Sequence, residues 1–271
     1  HLWDVQLPYM RNRAQARDRK VYKTLELQEF MNDLYNGRGE RKYSIPMCEP
    51  VQFVKRDLHI KPYLMGVLLG DGCFKERSVT VSIADEYIKD KIMGMLDGHT
   101  LHYTGKYDYS ITGSKENRIL PIIRNYGLCS KKSDQKFIPK DYLYSDVSDR
   151  IELLNGLFDT DGYVNARGTT VLYYTTSKQL AEDVKELVMS LGGTVSITGK
   201  QGTYKKNGIK IDCKHCYCMT VKLDNINPFS MPRKAERVVP KTKYKPVRYI
   251  DKVTLIGQEE ATCIWVDNDS H

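Results

Sequence analysis

Two apolar stretches of the chain have the length of short helices, and each runs into Asp-Gly. The stretches are YLMGVLLGDGCF at 63–74 and LLNGLFDTDGY at 153–163. In each, two small residues lie four positions apart before the acid: Gly66 and Gly70, then Gly156 and Thr160. Because such spacing lets two helix backbones approach closely, the pattern predicts a packed helix pair that ends at Asp71 and Asp161. A helix C-terminus disfavours a carboxylate, so two acids placed together there indicate a cation between them.

The segments after each Asp-Gly repeat in the same order. Alternation predicts strands over 78–83, 100–104, 106–112, 169–175, 194–198 and 210–223. Helical spacing and capping residues predict further helices over 24–36, 85–96, 119–128 and 177–191. Asp71 and Asp161 are 90 residues apart (161 − 71), and the following helices keep about that offset. The chain is therefore predicted to be α+β, with two αββαββα repeats and antiparallel sheets covered by helices on one face.

This organisation predicts four segments of the chain. Residues 1–56 form an N-terminal extension with an Arg-rich run, 57–147 the first repeat, 148–240 the second repeat, and 241–271 a C-terminal segment. If the basic run of the extension faces a polyanion, it provides an auxiliary contact to that partner. If it does not, the run is an ordinary solvated face.

The uncovered faces of the two sheets are predicted to be polar, basic and rich in tyrosine. Such strands fit a sheet laid in the major groove of DNA, although an ordinary solvated face explains any single residue equally well. The candidate DNA-binding residues are Lys75, Arg77, Ser78, Thr80, Ser82, Lys106, Tyr107, Tyr109, Arg167, Tyr173 or Tyr174, Lys200, Lys205, Lys206, Lys210 and Lys222.

Composition agrees with a polyanion partner. The chain has 271 residues and a net charge of +8, and it holds 19 tyrosines against six phenylalanines. A large hydrated interface suits that excess of tyrosine. The seven cysteines, with no signal peptide or membrane-length apolar run, predict free thiols in a reducing cytoplasm. The run from Cys213 to Cys218 alternates, so it indicates a strand rather than a zinc site, since no second ligand pair lies at a suitable distance.

The two Asp-Gly stretches resemble the paired motifs of the LAGLIDADG homing endonucleases in their single-chain form. SDQKFIP, TTSKQLAEDVKELVMSLGG and NPFSMPRKAERV resemble further blocks of these enzymes, so that the likeness covers about residues 57–240. The start HLW and the end RYIDKVTLIGQEEATCIWVDNDSH resemble parts of intein splicing blocks, but the N-terminal nucleophile and the final His-Asn are missing. The resemblance implies an intein-encoded endonuclease, of bacterial or phage origin, with truncated splicing ends.

The resemblance implies a function for particular residues. Asp71 and Asp161 would bind Mg²⁺ or Mn²⁺, with Ca²⁺ as a non-catalytic substitute, and the carbonyls of Gly70 and Thr160 are candidate extra ligands. Lys136 and Lys234 would serve one active site each, stabilising the transition state or orienting water. The first motif has Leu69 where many members carry an acid; Asp159 keeps that acid and is expected to make structural or solvent contacts. The chain is expected to act as a monomer on an asymmetric double-stranded DNA target.

Three other functions compete with this prediction. One is a catalytically silent DNA- or RNA-binding relative of the maturase type, and another is a splicing module with a decayed nuclease. Retention of both acids and both lysines argues against these two. The third is an unrelated Mg²⁺-dependent phosphotransferase, which would need a glycine-rich phosphate loop that the sequence lacks.

Overall fold

The computed structural model describes residues 2–11, 22–113, 119–206, 208–239 and 246–260, apart from the side chains of Arg11, Lys206 and Ile209. Helices and antiparallel sheets alternate along these residues, so the fold is α+β as predicted. Most of the Arg-rich run and the last segment, 261–271, lie outside the described residues. Within the described ranges, no helix has both the length and the apolar character needed to cross a lipid bilayer.

The N-terminal segment is mostly extended. Its elements are β1 (Leu2–Val5), β2 (Lys23–Glu26), α1 (Leu27–Phe30) and β3 (Ser44–Pro46). The predicted helix over 24–36 is wrong, because residues 23–26 pair with β1 and only one helical turn follows. Pairing with a distant strand has overridden the helical spacing of Leu27, Phe30 and Leu34.

The first repeat follows the predicted αββαββα order. Its elements are α2 (Pro62–Asp71), β4 (Gly72–Phe74), β5 (Val79–Ser82), α3 (Glu86–Met93), β6 (His99–Gly105), β7 (Asp108–Gly113) and α4 (Ile119–Asn125), with α5 (Lys140–Leu143) leading to the second repeat. The strands form one antiparallel sheet in the order β4-β5-β7-β6.

The second repeat has the same path. Its elements are α6 (Val147–Asp161), β8 (Gly162–Val164), β9 (Val171–Thr175), α7 (Lys178–Ser190), β10 (Thr194–Lys206), β11 (Ile209–Lys222) and α8 (Pro232–Ala235). Its sheet order, β8-β9-β11-β10, matches that of the first repeat strand for strand. The internal repeat is therefore confirmed, although the predicted order came without residue ranges for the three-residue strands β4 and β8, which are too short to show alternation.

The N-terminal segment and the described part of the C-terminal segment meet in a small unit with its own core. The last strand, β12 (Val247–Tyr249), pairs antiparallel with β3. Five buried residues form a core separate from that of the repeats: Val5, Leu25, Phe30, Leu34 and Tyr43. Asp251 fastens this contact, since it accepts hydrogen bonds from Tyr35 Oη at 3.0 Å and Arg41 Nε at 2.6 Å.

The paired helices α2 and α6 lie at the centre of the large core. Pro62 opens α2, where its missing N–H costs nothing, and the carboxylate of Asp146 caps α6 by accepting from Asp149 N at 2.8 Å. A Cβ built on Gly66 would lie 2.4 Å from the carbonyl oxygen of Leu153, and one on Gly156 would lie 2.2 Å from that of Tyr63. The small residues therefore permit the close backbone approach that the sequence predicts.

Candidate metal-binding site and open sheet faces

The paired helices bring their terminal acids to one place. A Cβ built on Gly70 would lie 2.1 Å from Thr160 Oγ1 and 3.1 Å from Asp161 Oδ2, so the two helices nearly touch at this end. Asp71 is exposed and Asp161 is half-buried. The two carboxylates therefore converge at a surface that a solute can reach.

The electrostatics of these acids reflect their proximity. Burial raises the pKa of Asp161 to about 6, and the neighbouring charge of Asp71 adds to the rise. Loss of hydration also raises the pKa of Asp71, against the opposing charges of Lys136 and Lys234. Two adjacent carboxylates with raised pKa values are stabilised by a bound cation, since it favours their charged forms.

Lys136 caps the end of α2. Its ammonium donates to the carbonyl oxygens of Leu68, Leu69, Gly70 and Gly72 at 3.1, 2.9, 3.1 and 2.7 Å. These contacts occupy all three of its donors and place a positive charge at the negative end of the helix. The side chain is 4% exposed, and this burial lowers the pKa of Lys136 to about 8.

Lys234 makes the same cap on α6. Its ammonium donates to the carbonyl oxygens of Phe158, Asp159, Thr160 and Gly162 at 3.1, 2.7, 3.3 and 2.8 Å, so each acceptor lies 90 residues after its counterpart in α2. Partial burial lowers the pKa of Lys234, and the charge of Arg233 lowers it further. The structure thus brings each lysine to the helix end that carries one acid.

The two candidate carbonyl ligands already have hydrogen-bond partners. The carbonyl oxygens of Gly70 and Thr160 each accept a hydrogen bond from a lysine, although unpaired carbonyls are expected at a helix end. A carbonyl oxygen has a second lone pair, so their role as metal ligands stays a prediction. Among the described residues, no group of three or more His, Cys, Asp or Glu side chains is placed to hold a metal. The donor set is thus two carboxylates, which fits a hard cation such as Mg²⁺ that keeps waters and takes substrate phosphate oxygens.

Asp159 is a structural residue, as predicted, and it is 2% exposed. Its carboxylate accepts from Tyr63 Oη at 2.9 Å, from Ser230 N and Oγ at 3.1 and 2.5 Å, and from Met231 N at 3.0 Å. It therefore anchors the loop that carries Lys234. The sequence difference at Leu69 indicated that the two repeats differ here, but it did not reveal the bonding partners.

Each lysine loop also contacts the opposite repeat. In the first loop, Ser177 Oγ donates to the carbonyl oxygen of Lys136 at 2.6 Å, and Ile138 N donates to Asp183 Oδ2 at 2.8 Å. In the second loop, Lys91 Nζ donates to Ser230 Oγ at 2.7 Å, and Arg233 Nε donates to Asp85 Oδ2 at 2.7 Å. Sequence reasoning missed these anchoring residues, which no local pattern marks. They tie the geometry of each acid to both repeats.

The open face of the first sheet is polar but weakly charged. Thr80 lies opposite Ser110 and Cys73, and Ser82 lies opposite Asp108. Lys75, Arg77, Lys106 and Tyr107 are exposed in the turns that border this face, and Ser78 is half-buried beside it.

Tyr109 does not belong to the open face of the first sheet. It pairs with Val81, which is buried beneath the helices, and Lys89 of α3 lies 5.7 Å from its ring centroid. The prediction for Tyr109 is therefore wrong, because the register turns it to the covered side.

The open face of the second sheet is more basic. Lys200, Lys205, Lys210 and Lys222 are exposed on the long β10–β11 hairpin, while Arg167 is exposed in the turn before β9. Lys206 belongs to β10, but its side chain lies outside the described residues. Lys214 on the same hairpin makes an ion pair at 2.7 Å with Asp134 of the first lysine loop.

The register of β9 separates the two tyrosines that the sequence left open. Tyr174 pairs with Cys218 on the open face, and Lys200 Nζ lies 5.6 Å from its ring centroid. Tyr173 is 0% exposed and stacks on Phe158 with ring centroids 5.1 Å apart. Tyr174 therefore remains a candidate DNA-binding residue, whereas the prediction for Tyr173 is wrong.

A cavity of about 280 Å³ connects the metal-binding site with the open face of the second sheet. Its lining includes Lys136, Asp161, Tyr174 and Cys216. A polyanion lying on the sheet thus has access to Asp161.

Comparison with protein families matches residues 148–227 to a LAGLIDADG-like domain. This segment comprises α6, β8, β9, α7 and the β10–β11 hairpin, and it therefore contains Asp159 and Asp161.

Curated relatives share similar segments. The replicative DNA helicase DnaB of Mycobacterium intracellulare is 29% identical over 233 residues, which cover 84% of this chain and 36% of the helicase. The probable translation initiation factor IF-2 of Methanocaldococcus jannaschii is 26% identical over 150 residues, which cover 53% of this chain and 13% of the factor. An alpha subunit of ribonucleoside-diphosphate reductase from Bacillus subtilis is 20% identical over 154 residues, covering 48% of this chain and 14% of the subunit. The chain spans about a third of the helicase and about an eighth of the other two.

Among solved structures, similarity extends to the homing endonuclease I-DmoI. Its complex with DNA and Ca has a TM-score of 0.37 at 12% identity and covers 60% of this chain and 82% of that one. A mesophilic variant of the same endonuclease has a TM-score of 0.39 at 13% identity, covering 60% and 82%.

Proposed function

We propose that the chain is a site-specific homing endonuclease that makes a metal-dependent double-strand break in a long, asymmetric DNA target. The observation that carries this proposal is the pair of converging carboxylates, Asp71 and Asp161, each on a helix end capped by a lysine. Two open sheets flank this pair, one beside each acid. Such an arrangement suits hydrolysis of two phosphodiesters, one on each DNA strand.

Asp71 and Asp161 would hold divalent cations, and the carbonyls of Gly70 and Thr160 are candidate further ligands. A bound Mg²⁺ or Mn²⁺ supplies an activated water, neutralises phosphate charge and stabilises the leaving oxygen. The role of the chain itself is to fix the carboxylates. The lysine caps hold the helix ends rigidly and keep positive charge beside both acids, which offsets the helix dipole.

Lys136 and Lys234 act through this positive charge. Their donors are engaged with carbonyl oxygens, so the charge reaches the site at longer range than a direct contact would. Both ammonium groups lower the pKa of Asp71, which favours the ionised form that binds a cation. We propose that this field also stabilises the negative charge that develops on the phosphate.

The two open sheets would contact successive major grooves on either side of the cleavage site. The first sheet offers Thr80, Ser82 and Ser110, and the second offers Tyr174 and a row of lysines. Since the faces differ in charge and side-chain type, the target is expected to be asymmetric and the protein to act as a monomer. Hydroxyls would make base contacts, whereas lysines mainly contact phosphate.

We further propose that the chain derives from an intein. The pairing of β3 with β12 supports this origin, because it joins the N-terminal segment to the C-terminal segment in a unit whose core is separate from that of the repeats. The three curated relatives carry unrelated names, and in each of them the matching segment is a minor part of the relative's own length. That distribution suits a module inserted into different host proteins.

The test is cleavage of a randomised double-stranded DNA library with sequencing of the products. We expect cutting at one long target in Mg²⁺ or Mn²⁺, binding without cutting in Ca²⁺, and loss of cutting in EDTA. A binding-only relative of the maturase type would bind DNA or RNA in a gel-shift assay but would leave the DNA library uncut with every metal. That outcome would contradict the proposal.

A further inference from the structure

The buried hydroxyl of Tyr173 makes no hydrogen bond within the described part of the chain. The ring is fully buried and stacked on Phe158, yet none of the described residues gives its hydroxyl a hydrogen-bond partner. A buried polar group without a partner is destabilising, and native structures rarely keep one without a reason. Two other tyrosines that are fully buried have partners: Tyr63 donates to Asp159 at 2.9 Å, and Tyr142 donates to the carbonyl oxygen of Ile60 at 2.7 Å.

The backbone places Tyr173 beside the metal-binding site. Tyr173 lies directly opposite Gly162, the residue that follows Asp161. Its side chain projects to the buried side of the sheet, where α6 ends, as those of Val171 and Thr175 do. Burial raises the pKa of Tyr173, and the charges of Asp161 and Asp71 raise it further.

The first repeat has no hydroxyl at the corresponding position. Val81 lies opposite Gly72 in the position that corresponds to Tyr173 opposite Gly162. The structure therefore contains one additional hydroxyl, and it is on the side of Asp161. Because a neutral phenol is a hydrogen-bond donor, it suits a water or a carboxylate oxygen in that site.

We infer that Tyr173 is a positioning residue of the metal-binding site, whose hydroxyl donates to a water of the hydrated divalent cation held by Asp161. The inference rests on the proposed function and deepens it. It makes the two acids unequal, since only Asp161 has this support. Groups that orient metal-bound water in this way are typically worth about 10- to 100-fold in metal affinity or activity.

Tyr173→Phe tests the inference, because it removes the hydroxyl and keeps the ring on Phe158. Three measurements are made: thermal unfolding in EDTA, Mn²⁺ affinity by calorimetry, and nicking rates with each DNA strand labelled separately. We expect the melting temperature in EDTA to be unchanged or higher. We expect Mn²⁺ binding to weaken by about 10-fold or more, and the two strands to be slowed unequally.

Tyr142→Phe is the matched control. It removes a hydroxyl that the fold does use, so we expect a lower melting temperature in EDTA with unchanged Mn²⁺ affinity and an unchanged ratio of strand rates. If Tyr173→Phe also lowers the melting temperature, its hydroxyl is a structural group and the inference is overturned. Unaltered Mn²⁺ affinity together with an unaltered strand ratio would overturn it as well.

The outcomes separate this inference from the proposed function. If the parent protein cuts DNA and Tyr173→Phe behaves like the parent, the endonuclease proposal stands and only the role of Tyr173 is removed. A parent protein that neither binds Mn²⁺ nor cuts DNA contradicts both.

Discussion

The two repeats share one chain path but hold their lysines differently. In the first, Leu69 is packed in the core, and the Lys136 loop is anchored by Ser177 and Asp183 of the second repeat. In the second, Lys91 and Asp85 of the first repeat contact the Lys234 loop in the same way. Asp159 of the second repeat anchors this loop in addition. Duplication has therefore preserved the contacts that fix each acid, whereas the supports behind these contacts have diverged.

Asp159→Leu, which copies the first repeat into the second, is expected to have the largest effect on stability. It leaves the hydroxyls of Tyr63 and Ser230 and the N–H of Met231 without their acceptor. We expect a loss of about 2–4 kcal/mol in the free energy of unfolding, measured in urea. Asp159→Asn retains one acceptor oxygen and should lose less. A loss below about 1 kcal/mol for Asp159→Leu would show that the network does not anchor the loop.

The acids are expected to differ in their effect on pH-dependent stability. The pKa of Asp161 is raised to about 6 in the folded protein from an ordinary value of 3.8, so the folded state holds its proton at pH values where the unfolded chain has released it. Stability in EDTA should therefore fall as pH rises from about 4 to 6 and change little above that range. Asp161→Asn should remove this dependence and stabilise the metal-depleted protein at pH 7 by about 1–3 kcal/mol.

Asp71→Asn is the comparison for that pH series. The pKa of Asp71 is also raised, but this side chain is exposed, so we expect a smaller stabilisation from Asp71→Asn than from Asp161→Asn. Thermal unfolding in EDTA between pH 4 and 7 measures both. Equal effects of the two substitutions would contradict the difference between the acids.

The smallest expected difference is between the two sheets, and it concerns the salt dependence of DNA binding. Substituting Lys200 and Lys210 of the long hairpin by Gln should reduce the slope of log K against log salt by about 2, since each phosphate contact contributes about 0.9. Substituting Lys75 and Lys106 beside the first sheet should reduce it less. Gel-shift titrations over a salt series provide the slopes, and equal reductions would remove the distinction between the sheets.

Much of this fold could be predicted from the sequence because its signals are local. The small residues at 66 and 156 predicted the helix contact, and alternation over 78–83 predicted a strand with the correct open face. The 90-residue offset between Asp71 and Asp161 predicted the repeat (161 − 71).

The rest depends on contacts between residues far apart in the chain. Residues 171–174 are apolar or aromatic on both faces, so only pairing with β8 and β11 decides that Tyr173 is buried and Tyr174 open. Similarly, the residues whose carbonyl oxygens accept from Lys136 lie 64 to 68 positions before it in the chain, and no local pattern predicts a contact over that separation.

The central claim is that Asp71 and Asp161 form the catalytic metal-binding site. The most direct test substitutes each by Asn and measures DNA affinity by gel shift and cleavage of both strands on the same target. We expect binding to persist in both variants, since the open sheets are unchanged, and double-strand cleavage to be lost in both. If either variant cuts both strands at the rate of the parent protein, the assignment of the site is wrong.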